Sequence, residues 1–381
     1  MNLSRTSQVP AESPSVLAFP MHGQRKLLDE GYRTRDGHMI EWFGRLTRGQ
    51  GKVRVVSRPE PHVLRPLVRA SSYALADNTE AVDSHSWRIP KIHDRRAWWR
   101  QSMNAYPPLI GVDEVPAVVW NPMASTSNIG GDIFNGRRRV VVDLLDDWSI
   151  HYAFKSISSQ VEEAYRRSLG EATAVTANSE GTLALAKRFG RDDAVLLTNG
   201  CDPHRFITNS HATGPRTIGY VGKIGRRVDL GLVLSAANAL PNVKFVFAGP
   251  ILDREYLEPL KSTKNIDLLG DVHYQDVPAL LSTFDLGWVP HRVGEFEIGG
   301  DVIKTYEYRA AHLPVLTTPV IGAGDRGLNH VHVVNGVDHA DWLLKLAPDC
   351  VRVPREGGEI PLEHTWEAKA KQMLTAMLVR C

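Results

Sequence analysis

The sequence has few cysteines and no long apolar segment. Cys201, Cys350 and Cys381 are the only three cysteines in 381 residues, and their odd number and wide spacing exclude a disulfide framework or a CxxC-type zinc site. Of the fifteen histidines, none forms a pair at ligand spacing with carboxylates nearby, so neither a metal nor a cofactor is expected. No run of 18 apolar residues could span a bilayer, and the first residues lack the apolar stretch of a signal peptide. These absences predict a protein of the reducing cytoplasm, with any membrane association peripheral.

A large excess of charge of one sign is also lacking, because 45 lysines and arginines face 43 acidic residues. This balance excludes a strongly basic nucleic-acid clamp or an acidic disordered chain for the whole protein. The first 100 residues are nevertheless basic, with 17 lysines and arginines against 10 acidic residues. We therefore expect this part of the chain to meet an anionic acceptor or surface, either a membrane or a nucleic acid.

Short apolar runs alternate with amphipathic segments along the chain, a pattern typical of parallel sheets covered by helices. Strands are predicted at residues 15–20, 53–56, 117–122, 139–145, 174–177, 195–197, 217–222, 243–249, 266–270, 286–290 and 314–318. Helices are predicted at 38–46, 150–168, 180–189, 229–240, 277–282 and 303–311. The prediction is an α/β protein with two Rossmann-like, doubly wound domains facing a cleft. Its parts are an N-terminal domain (1–197), a turn-rich linker (198–215), a C-terminal domain (216–364) and a final helix (about 365–381).

Four segments of the second half carry a resemblance to a known family. They are TNGCDPHRF (198–206), IGYVGKIGRRVDLGLVLSA (218–236), NVKFVFAGP with NIDLLGDVHYQDVPALLSTFDLGWVP (242–250 and 265–290), and DVIKTYEYRAAHLPVLTT (301–318). In order and spacing they resemble the GT-B glycosyltransferases of group 1, over about residues 140–381. The resemblance implies a hexosyltransferase (EC 2.4) that moves a sugar from a UDP or GDP sugar to a hydroxyl acceptor, with retention. It also implies that the N-terminal domain binds the acceptor, the C-terminal domain binds the donor, and the last helix packs back on the N-terminal domain.

The resemblance assigns the donor site to two segments of the C-terminal domain. Lys223 and Arg226 match the basic pair that holds the diphosphate, which needs cations as the glycosidic bond breaks. Gly299, Gly300 and Asp301 precede a helix whose N-terminal N–H groups suit a phosphate, and this helix carries Lys304. Glu307 matches the residue that binds the ribose hydroxyls. The alternative for each charged residue is a solvated surface position.

The sequence departs from the family at position 299. Relatives usually have a second glutamate eight positions before the residue matched by Glu307, and this chain has Gly299 there. Glu295 and Glu297 lie close by, so that Glu297 or Asp301 is a candidate for the missing sugar contact. The departure also motivates a non-catalytic homologue as one alternative function.

The N-terminal half contributes further candidates. Asp146 and Asp147 follow a buried strand and precede His151, where they could serve as a base in an inverting enzyme or cap a helix. The loop 31–38, with Arg33 and Arg35, occupies the place where relatives pass a loop beneath the donor phosphates, unless it is a basic surface turn. Arg95 and Arg96, beside two tryptophans, are candidates for contact with an anionic acceptor.

The acceptor cannot be read from the sequence. Relatives glycosylate envelope glycans or lipids, secondary metabolites, and hydroxymethylated DNA or protein. A sugar-nucleotide epimerase of the same fold is a further alternative to a transferase. No transmembrane segment is expected in any of these cases.

Overall fold

The computed structural model describes residues 14–63, 71–91, 93–94, 97–294, 297, 299–346 and 352–380. Three of the candidates named from the sequence, Arg95, Arg96 and Glu295, lie outside the described residues. All strand pairings between the named strands are parallel.

The strands are short and follow one another along the whole chain. They are β1 (Val16–Phe19), β2 (Val53–Val56), β3 (Glu60–Pro61), β4 (Thr79–Val82), β5 (His85–Ser86), β6 (Ala117–Val119), β7 (Val140–Leu144), β8 (Ala174–Ala177), β9 (Val195–Leu196), β10 (Thr217–Val221), β11 (Lys244–Ala248), β12 (Ile266–Gly270), β13 (Leu286–Val289), β14 (Val315–Thr317) and β15 (Val331–Val333).

The helices connect successive strands. They are α1 (Gln24–Glu30), α2 (Arg35–Leu46), α3 (Ala97–Gln101), α4 (Gly130–Ile133), α5 (Ser158–Glu171), α6 (Glu180–Arg188), α7 (Leu230–Ala239), α8 (Leu257–Ser262), α9 (Val277–Ser282), α10 (Ile303–Ala310), α11 (His339–Lys345) and α12 (Trp366–Ala376).

The strands form two large parallel sheets. The first has the order β4-β2-β1-β6-β7-β8-β9, and the second the order β12-β11-β10-β13-β14-β15. The central strands β1 (VLAF), β7 (VVVDL) and β13 (LGWV) are buried along their whole length. A strand that is covered by helices on both faces is buried in this way, which is why such strands read as continuous apolar runs in the sequence.

The second sheet is covered on both faces. Trp288 packs into the apolar cluster on one face, whereas its neighbour Val289 packs into the cluster on the other face with Tyr306 and Tyr308. The alternation follows from the two-residue repeat of a β-strand. The second sheet is therefore doubly wound, as predicted.

The last helix returns to the first sheet. Trp366, Ala370 and Met373 of α12 belong to the core of that sheet. The returning chain runs beside the outgoing one, where the Cys201 N–H donates to the His364 carbonyl (3.0 Å) and the Trp366 N–H donates to the Cys201 carbonyl (3.1 Å). Two chain crossings thus connect the two sheets.

The predicted strands are confirmed to within three residues at their ends, whereas β3, β4, β5 and β15 were not predicted. Helix α1 was not predicted, because its seven residues offer too few apolar positions to show a helical period. It ends at Gly31, whose positive φ of 72° lets its N–H bond back to the last turn. Helix α2 begins at Arg35, three residues before the predicted helix, and the predicted helix 150–168 is a 3₁₀ helix (Tyr152–Ile157) followed by α5.

Candidate active site

The carboxyl ends of the two sheets face each other across a cleft. Gly299 lies against Gly181 at the start of α6, where a Cβ on Gly181 would come within 2.7 Å of the Gly299 Cα. Gly300 lies against Asp146 in the same way. The Arg33 guanidinium reaches across to Asp271 with a 2.6 Å hydrogen bond. Side chains that follow strands of both sheets therefore share one site.

Two lysines in this cleft lack a counter-ion from the protein. Lys223 follows β10 and Lys304 lies on the first turn of α10. Among the residues that the structure describes, neither ammonium group takes part in a hydrogen bond or an ion pair. Burial lowers the pKa of Lys304 to about 7 and that of Lys223 to about 8, because a low-dielectric environment disfavours the charged form. An anionic ligand would supply the missing negative charge.

Arg227 completes the group of cations. Its guanidinium lies 3.4 Å from Asp146 Oδ1, and its charge lowers the pKa of Lys304 further. We call Lys223, Arg227 and Lys304 the basic cluster. The stem of Lys304 rests on the backbone at Gly222, where a Cβ would lie 3.0 Å from the lysine Cε.

Arg226 points away from the basic cluster. Its Nε lies 3.5 Å from Glu255 and 3.9 Å from Asp253, and its guanidinium carbon lies 5.1 Å from the centre of the Tyr152 ring. The Tyr152 hydroxyl also donates to Asp253 (3.3 Å). Arg226 therefore helps to join the two domains, and of the two adjacent arginines Arg227 is the one that faces the cleft.

Asp146 is the carboxylate nearest to the basic cluster. Burial raises its pKa to about 6, although the charges of Arg227 and Lys223 act in the opposite direction. Asp147 has a different environment, because its carboxylate accepts hydrogen bonds from the Ser149 N–H (3.0 Å) and hydroxyl and lies 3.2 Å from Arg188. Asp147 thus stabilises a turn without capping a helix, since the N-cap of the following 3₁₀ helix is His151. Of the two aspartates, Asp146 is the one that contacts the basic cluster.

Glu307 lies deeper in the cleft, one turn along α10 from Lys304. Burial raises its pKa to about 7, against the opposing influence of Tyr274, Lys304 and Arg33. Its charge raises the pKa of the neighbouring Tyr274 hydroxyl, for which burial is the larger cause. A buried carboxylate beside a cluster of cations can accept hydrogen bonds from a polar ligand.

Glu297 and Asp301 are occupied by contacts within the protein. The Glu297 carboxylate accepts backbone N–H groups from Gly294 (3.1 Å) and Ile321 (2.5 Å). The Asp301 carboxylate accepts the Asn199 N–H (2.9 Å) and the Tyr306 hydroxyl (2.7 Å), as well as a 3.3 Å contact from Arg326. These residues fix the loop before α10 and the start of the linker, so both candidates for the missing sugar contact are engaged within the protein.

The Arg35 side chain lies in the protein core and not in a loop that could contact the donor phosphates. Its guanidinium makes two hydrogen bonds to Asp143 on β7 (2.7 and 3.0 Å) and one to the Thr198 carbonyl (3.1 Å). Its side chain is 2% exposed. The sequence placed Arg35 with the donor phosphates, and the structure instead makes it the centre of a buried junction between β7 and the linker.

The loop that reaches the cleft from the first sheet is the one that follows β1. It contains His22, whose backbone N–H and ring nitrogen approach Asp36 (3.1 and 3.3 Å). Burial raises the pKa of Asp36, but His22 and other hydrogen-bond donors outweigh it and hold the pKa well below its usual range. The predicted segment 31–38 supplies Arg33 to this region, at the turn between α1 and α2.

His151 has a local role. Its Nδ1 accepts the Ala153 N–H (3.0 Å), which caps the 3₁₀ helix, and its ring stacks on Tyr152 with ring centres 4.6 Å apart. Like Arg226, it lies at the domain contact formed by Tyr152. Over the part of the chain that the structure describes, no group of three or more His, Cys, Asp or Glu residues could hold a metal ion.

Comparisons with known proteins agree with this architecture. Residues 215–347 match the family model described as Glycosyl transferases group 1. TuaH of Bacillus subtilis (strain 168), a glycosyltransferase assigned to teichuronic acid biosynthesis, is 24% identical over 140 residues, which cover 34% of this chain and 35% of TuaH. The match thus spans about a third of the length of that relative.

Two solved structures extend the similarity to nearly the whole chain. Sucrose-phosphate synthase from Thermosynechococcus elongatus gives a TM-score of 0.68 with 12% identity, over 95% of this chain and 98% of that one. HepE from Anabaena, solved with UDP and glucose, gives a TM-score of 0.59 with 15% identity, over 95% and 97%. The chain has the GT-B fold. Its residues 215–347 match the group 1 glycosyltransferase model, so the resemblance seen in the sequence is confirmed over this range.

The family match covers the part of this GT-B protein that holds the basic cluster and Glu307. All of these residues except Arg227 are predictable from the sequence, which favours its neighbour Arg226 instead. No helix among the described residues is both long and apolar enough to cross a membrane.

Proposed function

We propose that this protein is a cytoplasmic glycosyltransferase that moves a sugar from a nucleoside diphosphate sugar to a hydroxyl acceptor. The donor lies on the C-terminal domain and the acceptor approaches from the N-terminal domain. The observation that carries the proposal is the basic cluster beside Glu307, in which Lys223 and Lys304 form no ion pair with any residue that the structure describes. A diphosphate linked to a ribose presents the complementary groups, two negative phosphates and two neighbouring hydroxyls.

The donor is a UDP sugar in this proposal. HepE, which shares the fold over nearly its whole length, was solved with UDP and glucose. A GDP sugar is the alternative, and thermal-shift measurements with UDP, GDP, TDP and ADP sugars distinguish them. A ligand present at a hundred times its Kd adds about 2.7 kcal/mol to the apparent stability.

Transfer proceeds with retention in this proposal, in keeping with the motifs of the C-terminal domain. The bond between the sugar C1 and the phosphate oxygen breaks, and the bond from C1 to the acceptor oxygen forms on the same face. The leaving phosphate takes the proton of the acceptor hydroxyl, while Lys223, Arg227 and Lys304 stabilise its growing negative charge. No separate base is needed, and Asp146 orients Arg227.

The anomeric configuration of the product, followed by NMR from the start of the reaction, tests retention directly. An inverting enzyme with Asp146 as its base would give the opposite anomer, and Asp146→Asn would then lower kcat by about 10²–10⁴. With retention we expect Asp146→Asn to lower kcat by about tenfold or less. Asn keeps the shape of the side chain and loses the charge that faces Arg227.

Glu307→Ala should weaken UDP binding by about 1.5–3 kcal/mol, the usual contribution of a hydrogen bond to a charged group. The fold should survive, because the substitution removes a carboxylate that is already desolvated. Isothermal titration calorimetry gives the affinity, and the exposed Glu258→Ala is the control that leaves it unchanged. Wild-type affinity in a folded Glu307→Ala protein would reject the assignment of this site.

Donor affinity should fall as the pH rises from 7 to 9. The free protein holds the pKa of Lys304 at about 7 and that of Lys223 at about 8, so both lose their protons in this range. A diphosphate binds the protonated forms, and binding must therefore take up protons at pH 8 and above. Calorimetry in buffers of different ionisation enthalpy measures the number of protons taken up on binding. In Lys304→Arg, whose side chain stays charged, the donor Kd should change less with pH than in the wild type. A wild-type Kd that does not change between pH 7 and 9 would contradict the prediction.

A non-catalytic sugar-nucleotide-binding protein is the second candidate. It is favoured by Gly299, which replaces the family's glutamate, and by the engagement of Glu297 and Asp301 within the protein. UDP-sugar binding without consumption of the donor, in the presence of a panel of acceptors, would support it. Isomerisation of the donor in the absence of any acceptor would instead indicate an epimerase.

A further inference from the structure

A cavity lies on the N-terminal domain between α3 and the start of α5. It measures about 400 Å³, and its lining includes the cations Arg88, Lys91 and Arg100 and the polar residues Ser156 and Gln160. A second cavity of about 340 Å³ shares Arg100 and Gln160 with it. This region lies outside the donor site described above.

The cations of this cavity are not neutralised by the protein. Within the described ranges, the side chains of Arg88, Lys91 and Arg100 form no ion pair and no hydrogen bond, and all three are exposed. Among the described residues of the lining, Asp94 is the carboxylate. One of its oxygens already accepts the Ser156 hydroxyl (2.9 Å) and the Ala97 N–H (3.0 Å). The cavity therefore carries a net positive charge toward solvent.

Large apolar side chains stand beside these cations. Trp87 is 76% exposed and Ile89 is 74% exposed, and they flank Arg88 in the chain. The Trp87 ring stacks on His62 with ring centres 3.5 Å apart, which fixes its orientation while most of it stays in solvent. Two large exposed apolar side chains on either side of a cation are suited to contact with a partner that offers both apolar and anionic groups.

The cavity is connected to the cleft by one short element. The 3₁₀ helix Tyr152–Ile157 begins at Tyr152, which contacts Asp253 of the other domain, and reaches the cavity at Ser156 and Ile157. Four residues of 3₁₀ helix correspond to about 8 Å. A group bound in the cavity would therefore lie about 8 Å from the contact that Tyr152 makes with the C-terminal domain.

We propose that Trp87, Arg88, Ile89, Lys91 and Arg100 dock the protein on an anionic lipid bilayer, with a lipid phosphate headgroup held in the cavity. Tryptophan is enriched at the boundary between headgroups and acyl chains, and lysine and arginine beside it are attracted to anionic headgroups. A nucleic acid or a soluble phosphate would match the cations but would leave Ile89 uncovered. Together with the proposed function, on which this step rests, the site implies an acceptor that is presented at the membrane surface.

Vesicle co-sedimentation tests the proposal without any turnover. The full chain is mixed with vesicles of phosphatidylcholine alone or with phosphatidic acid added. Each lysine or arginine near such a surface contributes about 1 kcal/mol, so the variant R88S/K91S/R100S should bind the anionic vesicles on the order of a hundredfold more weakly than the wild type. The variant K187S/K261S/K264S, which loses the same charge at exposed lysines elsewhere, should retain most of the binding.

The apolar side chains are tested separately by W87S/I89S, which should reduce vesicle binding at unchanged net charge. UDP affinity should remain at the wild-type value in every variant, so a failure of the proposed function and a failure of this site are distinguishable. Equal binding to neutral and anionic vesicles, or equal loss in both triple variants, would overturn the proposal. The proposal would also be overturned if the protein binds inorganic phosphate or an oligonucleotide through these cations but does not bind the anionic vesicles.

Discussion

Replacing Lys304 by methionine is expected to lower kcat by about 10²–10³ and to leave the folded protein at least as stable as the wild type. The loss follows because a preorganised donor to the developing charge on the leaving phosphate disappears. Stability should not fall, because the ligand-free protein holds this partly buried ammonium group without an ion pair to any described residue. Removing a desolvated charge relieves that cost, by about 1 kcal/mol, and the methionine preserves the packing of the stem against Gly222.

Steady-state kinetics and denaturant unfolding at pH 7 give the two quantities on the same preparation. The gain in unfolding free energy should shrink as the pH rises from 7 towards 10, because the unfolded chain keeps its lysine protonated over this range while Lys304 in the folded protein becomes neutral. Lys264→Met, at an exposed position, serves as the control and should change neither quantity. A Lys304→Met protein that is clearly less stable would show that the ammonium group supports the fold rather than the ligand.

Most of the fold can be predicted because its strands are buried on both faces. Runs such as VLAF at Val16–Phe19 and VVVDL at Val140–Leu144 are readable as central strands from composition alone. The positions of Lys223 and Asp146 follow, since both come directly after such strands and the carboxyl ends of parallel strands share one edge. Helix α1 was not predictable in this way, because it is stabilised by packing and by the turn at Gly31 rather than by an apolar period of its own.

The partners of the charged residues could not be predicted from the sequence. Arg226 and Arg227 are adjacent and chemically equal, so only the direction of the backbone after Lys223 decides which one enters the cleft. Arg35 forms an ion pair with Asp143, which is 108 positions away in the chain. No local sequence pattern predicts so distant a partner. A basic residue that the sequence places near a phosphate site can instead form a buried ion pair in the core. Its ion-pair partner must therefore be known before a ligand-binding role is assigned to it.

The glycines before α10 also have a role that sequence alone does not reveal. Gly299 and Gly300 were expected to expose N–H groups to a phosphate, whereas the structure places them against Gly181 and Asp146 of the other domain. Any side chain at position 300 would collide with the Asp146 carboxylate, because its Cβ would lie 2.2 Å from Oδ1. These glycines therefore allow the two domains to approach closely enough for Asp146 to reach Arg227.

Arg35→Met should destabilise the protein by about 3–5 kcal/mol, since it leaves the Asp143 carboxylate buried without a charged partner. The Trp120 ring N–H and the Thr176 hydroxyl still donate to Asp143 (2.6 Å each), but neither is charged. Chemical denaturation measures the loss, and Asp143→Asn added to Arg35→Met should restore a large part of it by removing the stranded charge. UDP affinity of the folded Arg35→Met protein should stay within a few-fold of the wild type. If the Arg35→Met protein has wild-type stability but no longer binds UDP, Arg35 binds the donor and does not stabilise the core.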